Sequence, residues 1–70
     1  MKYLVIELQK NNNDVASLVT KYDTLDQARS SFYTICAAAV LSMVEVHSVI
    51  LLTEEGDVMY KETFLHLLEE

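Results

Sequence analysis

Thr24–Val44 reads TLDQARSSFYTICAAAVLSMV, and how this stretch is read decides the fold. At 100° per residue, Leu25, Ala28, Phe32, Ile35, Cys36, Ala39 and Met43 gather on one side of a helix, as a core-facing stripe does. Thr24-Leu25-Asp26-Gln27 opens it as a capping box, with the Thr24 hydroxyl placed to accept from an orphan amide and Gln27 to reach back. Asp26 in the first turn suits the positive end of the helix dipole. The opposite side carries Ser30, Thr34, Ala37, Ala38 and Leu41. A solvated face is ordinarily rich in Lys and Glu. This one is small and uncharged, so a second backbone can approach it closely. The expectation is a helix with two contact faces, one on its own sheet and one on a partner.

Working outward, each flank of the helix reads as a pair of strands. In Met1–Leu8 the side chains of Leu4, Ile6 and Leu8 alternate with Tyr3, Val5 and Glu7. Gln9–Asp14 holds three consecutive Asn and an Asp, which bond locally to backbone and tolerate positive φ. Val15–Tyr22 alternates again, so the first pair is an antiparallel hairpin. Beyond the helix, Val46–Thr53 is apolar on both faces, as a central, doubly covered strand is. Glu54-Glu55-Gly56-Asp57 is a turn with the only Gly available for a left-handed position. The fourth strand starts at Val58 and is favoured to about Thr63. For residues 64–70 a closing helical turn is the other reading. The chain is therefore expected to be one α+β domain, residues 1–70, of order ββαββ. Its four-stranded antiparallel sheet has the spatial order 2-1-3-4, with the helix across one face. The other face then presents apolar residues, with Tyr3, Val5, Val49 and Leu51 as candidates for a sheet-face interface.

Size sharpens that expectation. Surface scaling for an 8.0 kDa chain buries about 60% of the extended surface on folding. That is worth on the order of 100 kcal/mol at about 25 cal/mol per Å². Ordering the chain at about 1.5 kcal/mol per residue costs a similar sum. With one Cys among 70 residues there is no internal disulfide, which leaves association as the common route to stability.

The net charge of −6 argues against nucleic acid or an anionic membrane as partner, since both require basic surface. The N-terminus becomes charged too soon for a signal peptide. The longest apolar run, Ile35–Leu41, falls short of the ~20 residues of a membrane span. A cytoplasmic protein is expected.

No chemistry-bearing motif stands out. Cys36 lies on the core stripe, where a thiol is ordinarily inert packing. His47 and His66 lack the converging ligands of a zinc site. No phosphate loop, GxSxG or CxxC occurs. The expectation is no enzyme, no cofactor and no metal. Of the eleven acidic residues, seven lie at or after Glu45, mostly at turns and ends, where they solubilise.

Three stretches carry a resemblance: Tyr3-Leu4-Val5-Ile6-Glu7-Leu8-Gln9, Tyr33-Thr34-Ile35-Cys36-Ala37-Ala38-Ala39-Val40, and Val46-His47-Ser48-Val49-Ile50-Leu51-Leu52 followed by Gly56. Together they resemble small uncharacterised proteins encoded by prophages and mobile elements of Gram-positive gut bacteria. The resemblance covers most of the chain, rests on packing patterns and implies no activity. Cys36 departs from it, standing where an aliphatic residue is expected, and Leu67–Glu70 reads as an extension. The resemblance implies a phage or mobile-element accessory protein in the host cytoplasm. The leading expectation is a non-enzymatic homo-oligomer, its partner itself or another phage or host protein. The alternative is an acidic, nucleic-acid-mimicking inhibitor of a host nucleic-acid-binding protein.

Overall fold

The computed structural model describes residues 1–66. Its elements are β1 (Tyr3–Asn11), β2 (Asp14–Tyr22), α1 (Leu25–Val40), β3 (Val46–Thr53) and β4 (Val58–Leu65). The sheet is antiparallel throughout, in the order β2-β1-β3-β4, with α1 packed across one side. This is the ββαββ arrangement expected from the sequence.

The hairpins close where the turn residues allow it. Asn12 and Asn13 alone bridge β1 and β2, and Asn12 sits at φ 56°, which its short amide side chain tolerates. The strands therefore run further into the Asn-rich stretch than the sequence suggests. Glu45 clasps this turn from across the molecule. Its carboxylate accepts from the Asn12 amide at 3.2 Å, and its own amide donates to Asn11 Oδ1 at 3.3 Å. At the other hairpin Gly56 takes φ 92°, and Thr53 Oγ1 accepts from the amides of Glu55 and Asp57 at 3.3 and 3.2 Å.

Helix α1 starts as its cap dictates: Thr24 is extended and its hydroxyl accepts from the Gln27 amide at 3.1 Å. It stops earlier than the apolar pattern suggests. The amides of Leu41 and Ser42 bond back to the carbonyls of Ala38 and Ala39, so the last turn tightens to i→i+3 bonding and the chain leaves for β3. Met43, expected on the core stripe, therefore falls outside the helix and is 93% exposed. β4, conversely, continues two residues past Thr63. Phe64 pairs with His47 and Leu65 with Val46. The helical-turn reading fails for these two residues, and Leu67–Glu70 lie outside the described residues.

The core sits between α1 and one side of the sheet. Ala28 and Phe32 from the helix meet Val5, Val49 and Leu51 from β1 and β3, flanked by Tyr3, Tyr22, Leu25, Ile35, Cys36 and Tyr60. Phe32 packs against the Tyr60 ring, with centroids 5.7 Å apart. Register explains the set. Val5 lies opposite Leu51, and Leu51 opposite Tyr60, so one row of the pleat delivers all three to the same side. A bulge between Leu51 and Leu52 leaves Met59 as the extra residue of β4. At the N-terminal end the Lys2 ammonium bonds the Asp23 carboxylate. That bond holds the carboxyl below its ordinary pKa and the amine above its own.

Candidate interaction surface and polar clasp

The pleat that fills the core leaves the other set of side chains on the bare side of the sheet. Leu4, Ile6 and Leu8 of β1 and Val46, Ile50 and Leu52 of β3 form its centre, half-buried by one another. The edges add Val15 and Val19 from β2 and Val58 and Leu65 from β4, each more than half exposed. The polar groups among them are mild. Ser48 is buried and donates to Thr63 Oγ1 at 3.2 Å. Lys10, Lys21 and Lys61 lie at the margin. The strand carboxylates Asp14, Glu7 and Glu62 share the parity of the helix-facing side, as do Tyr3, Tyr22, Tyr60 and Phe64. Among the described residues, the bare face is thus aliphatic at most of its positions, with no strand carboxylate and no aromatic ring. Without aromatic rings it offers no platform for stacking bases.

This corrects the expected sheet-face set. Val5, Val49 and Leu51 are 1%, 0% and 0% exposed and lie under α1, with Tyr3 packed beside them. The alternation was right, but the helix covers the odd-numbered side of β1 and β3, so the available face is the even-numbered one. The helix-face set lies where expected. Ser30, Thr34, Ala37, Ala38 and Leu41 are all exposed, Leu41 to 84%. Thr34 Oγ1 donates to the Ser30 carbonyl at 2.9 Å, which spends its hydroxyl within the helix.

His47, which lacks the converging ligands of a zinc site, is instead the centre of a polar clasp. His47 is 4% exposed. Its Nε2 lies 2.6 Å from Glu7 Oε2 and its Nδ1 3.2 Å from Ser42 Oγ. Gln9 Nε2 donates to the same Glu7 oxygen at 3.0 Å, and the Val44 amide to Ser42 Oγ at 3.4 Å. The pattern assigns the Ser42 hydroxyl as donor to Nδ1 and the Nε2 proton to Glu7. A Ser–His–Glu series suggests nucleophilic catalysis, but Ser42 follows the C-terminus of α1, where carbonyl oxygens and the negative end of the dipole disfavour a developing oxyanion. The cluster instead joins the end of the helix to β1 and β3. His66 makes a similar tie: its ring nitrogens lie 2.9 and 3.3 Å from the carbonyls of Val44 and Val40. Residue type alone does not reveal either role; that of His47 depends on the β1–β3 register, that of His66 on the β3–β4 pairing, and both on where the helix ends. Glu7→Ala strips the buried imidazole of its acceptor and is expected to cost about 1–3 kcal/mol in urea unfolding. Glu7→Gln, which keeps a carbonyl acceptor, is expected to cost less. Equal losses for the two would mean the carboxylate charge, and not the acceptor, is what matters.

Cys36 is partly buried in the flank of the core. Burial, with the Glu62 carboxylate adding to it, pushes the thiol pKa up. A raised pKa means less thiolate at any given pH. Alkylation by iodoacetamide is therefore expected to lag behind free cysteine at neutral pH and to reach half-maximal rate at a higher pH. A midpoint at or below the free thiol's would contradict the packing. Among the described residues, no three His, Cys, Asp or Glu side chains converge to hold a metal ion. An open depression of about 590 Å³ is lined by Lys21, Tyr22, Asp23, Asp26, Gln27, Ser30 and Ser31, with neither a thiol nor an imidazole among them. Among the described residues, no helix is long and apolar enough to cross a membrane.

Comparison with family models, with curated proteins and with solved structures gives no match to this chain.

Proposed function

We propose that this chain is a non-enzymatic, self-associating interaction protein, and that it associates through the bare face of its sheet. The observation that carries the reading is the composition of that face: six of the eight positions on β1 and β3 are aliphatic, with Lys10 and Ser48 the others, and every strand carboxylate lies on the other side, in a chain of net charge −6. An acidic protein that solubilises its turns and spares one broad face has a surface suited to contact. Four strands about 4.8 Å apart, each of about eight residues at about 3.3 Å, project on the order of 500 Å² per copy. Two such faces reach the ~1,000 Å² that a specific interface should clear. The resemblance to prophage and mobile-element proteins supplies the setting, an accessory protein in the cytoplasm of a bacterial host.

The inhibitor reading draws less support. A nucleic-acid mimic needs carboxylates in a row on one exposed face. Here Glu7 and Glu62 lie mid-strand on the helix-facing side, and the other described ones divide between the Glu54–Asp57 turn with Asp23 and Asp26 near one end, and Asp14 and Glu45 at the other. Several already face cations: Asp23 with Lys2, Asp26 with Arg29 and Glu45 with Lys10. Sedimentation velocity from micromolar to hundreds of micromolar is the test. The expected result is a concentration-dependent rise to at least twice the 8.0 kDa chain mass. A strict monomer throughout overturns the proposal.

A further inference from the structure

We infer that association through the bare face is strengthened by small multivalent anions of the phosphate class, held between lysines of the two copies at the rim of the contact. The inference rests on the self-association reading and adds its regulation. It starts from where the positive charge lies. Of the five basic residues, Lys10, Lys21 and Lys61 fall on the bare side of the strands, opposite Val46, Leu4 and Ile50. The strand carboxylates Glu7, Asp14 and Glu62 fall on the other side. In a chain of net charge −6, this one face is locally basic.

The chain does little to cancel that charge itself. Among the described residues, Lys21 and Lys61 have no ion pair. Lys10 stands 3.6 Å from the Glu45 carboxylate, and its Nζ donates to the Asn12 carbonyl at 2.8 Å. At the Lys2 end of the face the carboxylates of Asp23 and Glu54 are already engaged, by the Lys2 ammonium and the Lys2 amide.

Stacking two such faces brings lysines together whichever way the pair is turned. For aligned sheets a two-fold axis runs either along the strands or across them. Along the strands, β2 lies over β4 of the second copy, and Lys21 comes within one row of Lys61 of that copy. Across the strands, β4 lies over β4 of the second copy, the two Lys61 side chains stand one row apart, and Lys21 comes beside Lys10 of the second copy. Ammonium groups about 10 Å apart, the spacing of stacked sheets, weaken a pair roughly twofold in water and roughly fifteenfold at the lower effective dielectric near a protein surface. A multivalent anion seated between two ammonium groups turns that repulsion into attraction. Phosphate oxygens suit the place because they accept charge-assisted hydrogen bonds from more than one lysine at once.

Lys61 is exposed on edge strand β4 and is a meeting lysine under both axes, so Lys61→Gln is the test. At low ionic strength it is expected to tighten the dimer about fivefold in sedimentation equilibrium, although it makes an acidic chain more acidic. Arg29→Gln removes the same charge from the helix and is expected to bring no tightening. Millimolar inorganic triphosphate, compared with sodium chloride at equal ionic strength, is expected to tighten the wild type about tenfold and Lys61→Gln much less. Circular dichroism verifies that each variant folds. No tightening by Lys61→Gln, equal tightening by Arg29→Gln, or a triphosphate effect no larger than that of sodium chloride overturns the inference and leaves self-association standing. A wild-type chain that stays monomeric with and without triphosphate overturns the reading beneath it.

Discussion

Phe32→Ala is expected to remove about 3–5 kcal/mol of stability, the usual range for deleting a buried phenyl ring. Phe32 is 2% exposed and is the largest fully buried side chain. It fills the space between α1 and the pleat row of Val5, Leu51 and Tyr60, with ring contacts to Tyr33 at 5.4 Å and Tyr60 at 5.7 Å. No neighbour can collapse into the hole easily. Val5, Val49 and Leu51 are held by the sheet ladder, and Ala28 has no side chain to extend. Net stability of about 0.05–0.15 kcal/mol per residue gives a chain of this size only several kcal/mol in all. The substitution therefore consumes half or more of it. Urea unfolding followed by far-UV circular dichroism, at one fixed protein concentration because association adds its own stability, reads the midpoint. Leu41→Ala, at a side chain 84% exposed, is the control and is expected to stay within about 0.5 kcal/mol. Similar midpoints for the two variants would show that α1 does not dock through Phe32.

Particular residues show what the sequence made legible. Thr24 and Gln27 announce the start of the helix, and the structure forms the cap they announce. The Asn-rich stretch and Gly56 announce the two turns, and alternation gives the strands between them. Strand order follows because a two-sided apolar β3 belongs inside the sheet. The end of the helix was harder. Nothing in Ala37–Val44 breaks the 3.6-residue pattern, and the stop comes from tertiary demands: Ser42 meets His47, and Glu45 ties to the Asn12 turn. The choice of sheet face was harder still. Tyr3, Val5, Val49 and Leu51 are as apolar as Leu4, Ile6, Ile50 and Leu52, so hydrophobicity does not rank the two sides. Once the registers are known, one signal does. Tyr3, Tyr22, Tyr60 and Phe64 all fall on one side, and large rings suit the gap between a helix and a sheet better than branched aliphatics do. The polar clasp around His47 was invisible for the same reason, since Glu7 and His47 are 40 positions apart and meet only through the β1–β3 pairing.

Ile50→Glu is expected to abolish self-association while leaving the fold in place. Ile50 lies on central strand β3, beside Ile6 on the bare side, and is only half-buried within one chain. In the free chain a carboxylate there still reaches water, so its cost is limited to lost aliphatic contact and poorer strand propensity, about 1 kcal/mol. In the dimer two carboxylates enter the driest part of the contact, each with only the edge-strand Lys61 of its own chain cross-strand from it. Taking a charge out of water costs several kcal/mol per ion even when a partner is near, and about 4 kcal/mol already corresponds to a roughly thousandfold loss of affinity. Sedimentation of Ile50→Glu at the concentrations where the wild type associates should therefore give the monomer mass, with an unfolding midpoint near the wild-type monomer's. Ala38→Glu sets the two candidate surfaces against each other. Ala38 is exposed on the outer helix face with Ser30, Thr34, Ala37 and Leu41, and helices accept Glu well. If the sheet face carries the contact, Ala38→Glu keeps the wild-type mass; the reverse pattern moves the contact to the helix. Area favours the sheet. Ala37 and Ala38 offer one methyl group each, and Ser30 and Thr34 add hydroxyls, so the helix face gains little from leaving water. The bare sheet face gains along four strands at once, and Ile50 stands near its centre.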